Sequence, residues 1–312
     1  MTKGEDKIPV AVFFLQYDTI KYPSSLSPVK EHLSRLEGFV FDLMVIDNKN
    51  TGGDAITEKN GVLLIPGDNS SWEFSGWNKA IRYAQGRGKN YAAAIFINDS
   101  FVNNFRQNLA WLSSSVLMYL TSEAAAGGVL NFRNRHRGLL GYFLLDLESY
   151  GIRGGIFKAW LRSNFFILPW KSVENEGFET WDQGEIFSKS WGQGIYLKDA
   201  PLSENLKSRL VNYLSPEGRY DQSDVWHSHF KLEEASFEFF ASKATAIINE
   251  MSLGQQIHKR SVPLIDIRLL SGLLNCRVLP RGIRRRCIGK LAKDTGLQAR
   301  WLYWTRVFRS SN

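Results

Sequence analysis

The run Tyr91-Ala-Ala-Ala-Ile-Phe-Ile-Asn98-Asp99-Ser100-Phe101 decides the fold predicted for this chain. Its first half is short, apolar and rich in aliphatic residues, which is typical of a buried β-strand. Asn98 and Asp99 follow directly, so we expect a carboxylate at the C-terminal end of this strand. In open α/β sheets, that edge is where ligands bind.

A second polar segment lies upstream of this strand. It reads Gly67-Asp-Asn-Ser-Ser-Trp-Glu-Phe-Ser-Gly-Trp-Asn78, and it follows the apolar run Val62–Ile65. The segment then continues into a helical pattern. Two strand ends that both carry acids and amides favour a nucleotide-type ligand held at one edge of a sheet.

The remaining apolar runs complete an α/β pattern. Strands alternate with helices through short connections, which favours a mostly parallel sheet flanked by helices. The predicted strands are Ile8–Tyr17, Phe39–Ile46, Val62–Ile65, Ala92–Ile97, Val129–Phe132 and Leu139–Leu147. The first predicted helix begins at Ser27-Pro28 and ends at Gly38. The other predicted helices are Trp77–Tyr83, Asn108–Tyr119, Ile156–Phe166, Leu202–Leu214 and Leu232–Leu253.

Composition narrows the class of protein. The chain has 312 residues, of which 44% are hydrophobic and 22% charged, as expected for one large or two small globular domains. We find no apolar run long enough to span a membrane, and the polar first residues do not resemble a signal peptide. Cys276 and Cys287 are therefore expected to be free thiols in a reducing compartment, and no zinc-type spacing is present.

The positive charge of the chain is concentrated near its end. Residues 277–309 contain ten basic residues against Asp294 alone, a net charge of +9, whereas the whole chain carries +8. Apolar residues alternate with these arginines and lysines, which favours a helix lying on an anionic membrane. A basic helix packed on the domain, or a nucleic-acid contact, are the alternatives, although no nucleic-acid motif is present. The apolar residues are Ile283, Ile288, Leu291, Trp301, Leu302, Tyr303, Trp304 and Phe308.

Four short segments resemble a known enzyme family. They are Asn69-Ser-Ser-Trp-Glu-Phe-Ser-Gly-Trp77, Asn98-Asp-Ser100, Gly141-Tyr-Phe-Leu144 and Phe157-Lys-Ala-Trp160. Over residues 8–200 the chain resembles the GT-A glycosyltransferases. Within these it is similar to the rhamnan-synthesis protein F type of bacterial polysaccharide glycosyltransferase. The resemblance implies a GT-A-like, Rossmann-like fold and a nucleotide-sugar donor.

The resemblance also implies residues for donor binding. They lie at strand ends or in the segment before the second helix, and they are Tyr17, Asp18, Asp47, Asn69, Glu73, Trp77 and Asn98. Acids such as Asp18 and Asp47 are also common in turns, and a tryptophan on a helix face is more often a core residue.

A sugar transferase of this type needs charge stabilisation and a base. The diphosphate leaving group accumulates negative charge, which a divalent ion (Mn²⁺ or Mg²⁺) bound to Asp99 would offset. The alternatives are a reaction that does not need the metal, and a purely capping role for Asp99. His227 is a candidate additional metal ligand, or else an exposed loop residue. The acid-rich stretch offers Glu179, Asp182 and Glu185 as candidate catalytic bases, unless it is only a solvated surface.

Together these features predict three regions. Residues 1–200 would form the catalytic domain, 201–270 a helical extension on the acceptor side, and 271–312 a basic amphipathic tail. The predicted reaction transfers a sugar to a bacterial surface polysaccharide or its lipid-linked precursor, at the cytoplasmic face of the cell membrane. A non-catalytic nucleotide-binding module and a nucleic-acid-binding protein acting through the tail are the alternatives.

Overall fold

The computed structural model describes residues 7–49, 55–59, 62–134, 146–216, 226 and 228–310. Most of the predicted strand Leu139–Leu147 lies outside these residues, as do the segment Gly141–Leu144 and His227. The side chains of residues 59, 103–108 and 304–310 are also outside the description.

The described residues contain ten strands. The first and fifth are buried along almost their whole length, as expected for strands inside a parallel sheet. The strands are β1 (Ile8–Gln16), β2 (Phe39–Asp47), β3 (Thr57–Lys59), β4 (Val62–Pro66), β5 (Ala93–Asn98), β6 (Ala126–Phe132), β7 (Tyr150–Ile152), β8 (Gly155–Phe157), β9 (Ala159–Pro169) and β10 (Leu264–Asp266).

Eight of these strands form one sheet, in the order β10-β6-β9-β5-β1-β2-β4-β3. Strand β1 is parallel to both β2 and β5, β4 is parallel to β2, and β10 is parallel to β6. Strand β3 is antiparallel to β4, and β9 is antiparallel to β5. The predicted α/β fold with a mostly parallel sheet and flanking helices is confirmed at this level.

Four of the predicted helices are present with shifted ends, namely those that begin near Ser27, Trp77, Leu202 and Leu232. The predicted helix Asn108–Tyr119 is interrupted, because Ser113 caps a new helix by accepting a hydrogen bond from the Val116 N–H. The helices are α1 (Leu26–Ser34), α2 (Glu73–Gly86), α3 (Asp99–Phe105), α4 (Ser114–Ser122), α5 (Glu204–Leu214), α6 (Phe237–Lys259), α7 (Ile267–Asn275), α8 (Arg281–Leu291) and α9 (Thr295–Ser310).

The predicted helix Ile156–Phe166 is wrong, because this segment forms β8 and most of β9. The second half of β9 is buried on both faces, so its apolar residues lose the alternation that marks a strand. Phe166 stacks on Phe96 of β5 with ring centroids 4.6 Å apart, and Phe165 stacks on Phe101 at 4.8 Å. Pairing with β5 therefore decides the conformation of this segment.

The chain divides into two compact units that interleave along the sequence. Unit 1 comprises Met1–Asn131, Leu161–Phe178 and Gln256–Asn312, and unit 2 comprises Phe132–Trp160 and Glu179–Gln255. These boundaries differ from the predicted breaks near residues 200 and 270, because β9 and β10 return the chain to the sheet of unit 1. Unit 2 has its own core, in which Tyr150, Phe187 and Phe240 pack with apolar residues of α5 and α6.

The C-terminal helices are joined to the sheet by buried polar side chains. Asp266, at the end of β10, is fully buried and accepts hydrogen bonds from the Leu130 N–H at 2.8 Å and the Arg268 N–H at 2.9 Å. The buried amide of Gln298, in α9, accepts from the Asp266 N–H and donates to the Leu264 and Leu291 carbonyls. These buried bonds connect α7 and α9 to strands β6 and β10, and unit 1 includes the whole basic segment.

Candidate functional site

The carboxyl ends of β5, β1, β2 and β4 lie side by side at one edge of the unit 1 sheet. The chain moves from β1 to β2 in one direction across the sheet, and it reaches β5 on the opposite side of β1. The strand order therefore reverses between β1 and β5. Such a switch point leaves a crevice at the carboxyl edge, which is where ligands bind in doubly wound sheets.

Asp99 lies at this switch point. Its carboxylate is almost fully buried, and Oδ2 accepts hydrogen bonds from the Tyr17 N–H at 2.8 Å and the Asp18 N–H at 2.9 Å. Hydrogen bonds to a charged group contribute about 1.5–3 kcal/mol each. Asp99, the first residue of α3, therefore holds in place the loop that follows the neighbouring strand β1.

Asn98 performs the capping role that the sequence leaves open for Asp99. Its Oδ1 accepts hydrogen bonds from the Phe101 N–H and the Ser100 hydroxyl, both at 2.9 Å. Both of these hydrogen bonds lie within the first turn of α3, as in a helix N-cap. The structure thus separates the two residues, with Asn98 capping the helix and Asp99 bonding to the adjacent loop.

Tyr17, Asp18 and Asp47 lie at the ends of β1 and β2. Tyr17 is 40% exposed, and the Lys49 ammonium lies 5.6 Å from the centroid of its ring. The Asp18 carboxylate accepts a hydrogen bond from the Lys21 N–H, and that of Asp47 accepts one from the Lys49 N–H at 3.2 Å. Both acids therefore stabilise turns, as such residues commonly do, while their side chains stay at least partly exposed.

Asn48 is a residue of this edge that the sequence prediction missed. It is 2% exposed, and its Nδ2 donates to the Asn69 Oδ1 at 2.7 Å and to the Trp72 carbonyl at 2.9 Å. A Cβ atom at Gly67 would lie 2.5 Å from the Asn48 Oδ1, so only glycine fits there. The signal was an amide that directly follows the carboxylate at the end of β2.

The loop held by Asn48 has an unusual backbone. Asn69 has φ 54° and Trp72 has φ 53°, although neither is glycine. Asparagine tolerates this conformation, whereas for a bulky residue such as Trp72 it is a genuine outlier. Outliers of this kind cost on the order of 1–3 kcal/mol and cluster at functional sites. The bonds from Asn48 hold the loop in this conformation before α2 begins.

Glu73 and Trp77 lie on α2, after this loop. The Glu73 Oε1 accepts a hydrogen bond from the Ser163 hydroxyl of β9 at 3.2 Å. Trp77 has no exposed surface, and aromatic rings surround its indole, among them Phe96 at 5.6 Å and Phe166 at 5.3 Å between centroids. Trp77 is therefore a core residue, as its alternative interpretation held, and we leave it out of the ligand contacts proposed below.

The three candidate bases belong to unit 2 and are all exposed. Asp182 accepts a hydrogen bond from the Gly184 N–H at 2.7 Å, and Glu185 forms an ion pair with Arg153 at 2.8 Å. Glu179 lies at the start of the same stretch. Exposure and local bonding do not distinguish one of the three as the base, so the choice among them stays a prediction.

Asp99 fits a divalent ion only in combination with a ligand that supplies further oxygens. Its Oδ2 is engaged by two backbone N–H groups, and among the described residues no group of three His, Cys, Asp or Glu side chains could hold a metal. Mg²⁺ is commonly held by one or two carboxylates together with substrate phosphates. His227, the other predicted ligand, lies outside the described residues.

These features place the chain in the α/β class, with a large mixed sheet compatible with a Rossmann-like fold. Comparisons with protein-family models, with curated proteins and with solved structures find no match for this chain. Within the part of the chain that the structure describes, no helix has both the length and the apolar character needed to cross a bilayer.

Proposed function

We propose that the carboxyl edge of the unit 1 sheet binds the nucleoside diphosphate of an activated sugar. The observation that carries this proposal is the buried Asp99 carboxylate, bonded to the backbone of Tyr17 and Asp18 at the switch point. The strained loop from Asn69 to Trp72, fixed to β2 through Asn48, supports it from the neighbouring side. Both features lie at the edge where doubly wound sheets bind nucleotides.

The proposed roles follow from position. Tyr17, Asp18 and Asp47 end the first two strands and would contact the base and ribose, with the Tyr17 ring open to stacking. Asn69 and Glu73 would contact the ribose or the sugar. Asp99 would lie beside the diphosphate, where a divalent ion bridging the two would offset the charge of the leaving group.

The reaction proposed for this site is glycosyl transfer. The sugar would pass from the nucleotide to a hydroxyl of a bacterial surface polysaccharide or of its lipid-linked precursor, at the cytoplasmic face of the membrane. The resemblance of the segments around Asn69 and Asn98 to bacterial polysaccharide glycosyltransferases supports this reaction. An acceptor hydroxyl needs a base, and Glu179, Asp182 and Glu185 are the candidates to be tested by single substitution to glutamine or asparagine.

A nucleotide screen tests the proposal directly. The melting temperature of the protein is measured with UDP, GDP, CMP and TDP, each with and without Mn²⁺. A ligand that binds only the folded state raises the melting temperature, so one nucleotide should stand out, and Mn²⁺ should add stability only in its presence. The absence of a shift with every nucleotide would contradict the proposal.

Transfer is then separated from binding alone. The protein is incubated with the sugar form of the selected nucleotide, and release of free nucleoside diphosphate is followed over time. Release above the uncatalysed rate supports a transferase. Binding without release, in the presence and absence of saccharide acceptors, would instead favour the non-catalytic nucleotide-binding module.

A further inference from the structure

A second feature of unit 1 lies beside helix α8. A cavity of about 610 Å³ opens there, lined by Leu274, Arg281, Gly282, Arg284, Arg285 and Ile288. Three of these six residues are arginines and none is acidic. The cavity therefore carries concentrated positive charge, as a binding site for an anion requires.

The backbone and one guanidinium add to this charge. The N-cap of α8 is Pro280, which makes no side-chain capping bond, so the first N–H groups of this eleven-residue helix have no capping side chain to donate to. Arg284 is held in place because its Nη1 donates to the Leu274 carbonyl at 2.6 Å. Its Nε is buried and finds no hydrogen-bond partner in the described part of the chain. The fixed guanidinium of Arg284 therefore adds positive charge to the wall of the cavity.

Apolar side chains also contribute to the cavity and to the exposed surface near it in sequence. Leu274 and the buried Ile288 line it, and the neighbouring Val278 and Ile283 are 90% and 48% exposed. Inorganic phosphate would gain nothing from apolar neighbours, whereas a lipid has acyl chains beside its phosphate. We propose that this cavity binds the phosphate headgroup of an anionic membrane phospholipid. This inference does not rest on the proposed sugar transfer.

Sedimentation with vesicles tests the inference in the full-length chain. The vesicles contain phosphatidylcholine alone, or phosphatidylcholine mixed with phosphatidylglycerol. The test variant is R281Q/R285Q, and the matched control is R277Q/R286Q. The control removes the same charge from exposed arginines that do not line the cavity. All four positions are exposed, so both variants should keep their fold, which circular dichroism verifies.

We expect the wild type to bind the mixed vesicles and not phosphatidylcholine alone. Both variants lose the general attraction of two positive charges to the anionic surface. R281Q/R285Q should lose about tenfold more affinity than the control, because it also loses two direct contacts with the lipid phosphate. Equal losses would overturn the inference in favour of a diffuse basic surface.

Two further outcomes would also overturn it. Inorganic phosphate could bind with the same dependence on Arg281 and Arg285 while the vesicles do not, which would identify a soluble anion. Single-stranded or duplex nucleic acid could likewise replace the vesicles as the ligand, with a steep dependence on salt. Because no nucleotide-sugar is present in this assay, its failure is distinguishable from failure of the transferase proposal.

Discussion

At the scale of single residues, the account depends on what Asp99 does with its charge. A carboxylate that is only structural needs an oxygen to accept the N–H groups of Tyr17 and Asp18, and an amide oxygen can do the same. A carboxylate that acts on a diphosphate through a metal needs its negative charge as well. Substitution by asparagine separates these two roles.

Asp99→Asn should therefore keep the fold and lose ligand-dependent function. We expect the melting temperature without ligand to fall only modestly, because the amide oxygen keeps both hydrogen bonds but without the added strength of the charge. The additional shift caused by Mn²⁺ with the selected nucleotide should be lost, and turnover should fall by about a hundredfold or more, the size typical of removing one electrostatic contact in a transition state.

The matched control is Asp294→Asn. Asp294 is an exposed carboxylate that accepts the Leu297 N–H at the start of α9, so the change is chemically the same. It should leave nucleotide binding and turnover unchanged. If Asp99→Asn turns over as fast as this control, the charge of Asp99 has no part in the reaction.

Gly67 tests the loop that Asn48 holds. Gly67→Ala would put a Cβ 2.5 Å from the Asn48 Oδ1 and 2.8 Å from its Cα, so Asn48 or the loop must move. Overpacking of this kind costs about 1–3 kcal/mol in the free energy of unfolding. We expect this loss in urea denaturation, together with weaker nucleotide binding.

Gly86→Ala is the control, because no atom lies within 4 Å of a Cβ at that position. Alanine is favoured over glycine in a helix by about 0.5–1 kcal/mol, so this variant should be unchanged or slightly more stable. Unaltered stability and nucleotide binding in Gly67→Ala would show that the contact with Asn48 does not constrain the loop.

At the scale of elements, the sequence was most informative where a strand is an isolated apolar run. Strands β1, β2, β4 and β5 were predicted within a residue or two, because each run ends abruptly in polar residues. The sequence of β9 hides its strand: burial alternates over its first six residues, but the large apolar Trp160 takes a less buried position and the polar Ser163 a buried one, so the apolar residues show no period of two. Strand β10 is only three residues long, and it exists because β6 offers a parallel partner.

The site residues that could be predicted from the sequence are those marked by a local pattern. Asp99 and Asp47 were found because they end buried strands, a local feature of the sequence. The role of Asn48 depends on contacts with Asn69 and Trp72, more than twenty residues away, which no local pattern encodes. The burial of Trp77 depends in the same way on packing against β9.

The hydrogen bonds of Asp266 join the C-terminal helices to the sheet, and their removal should be costly. Asp266→Ala would leave the buried Leu130 N–H without its partner and the mostly buried Arg268 without its carboxylate. Breaking a buried pair costs about 3–5 kcal/mol. We expect this loss in the free energy of unfolding measured by urea denaturation.

Glu233→Ala serves as the surface comparison, because its ion pair with Lys231 is exposed. Exposed pairs contribute little, although Glu233 also caps a short helix, so a change well below that of Asp266→Ala is expected. If the two variants lost similar stability, the buried bonds would not be what joins the C-terminal helices to the sheet.

At the scale of the whole molecule, the chain builds two compact units by passing between them four times. No composition change marks the points where the chain passes between the units. The predicted regions are therefore continuous in sequence, whereas the units are discontinuous because β9 and β10 pair with strands of unit 1. The basic C-terminal segment, predicted as an amphipathic tail, forms helices α8 and α9, which belong to unit 1. Its buried apolar residues account for part of the amphipathic pattern, and its exposed arginines remain available for the anion proposed above.

Hydrogen exchange measured by mass spectrometry, with and without the selected nucleoside diphosphate, tests the central claim most directly. The claim predicts that one ligand protects peptides from the ends of four strands together, covering residues 17–21, 47–49, 67–73 and 98–101. Slower exchange at all four, without a general slowing along the rest of the chain, is the expected result. Binding that leaves these four segments unprotected would contradict the claim that they converge on one nucleotide.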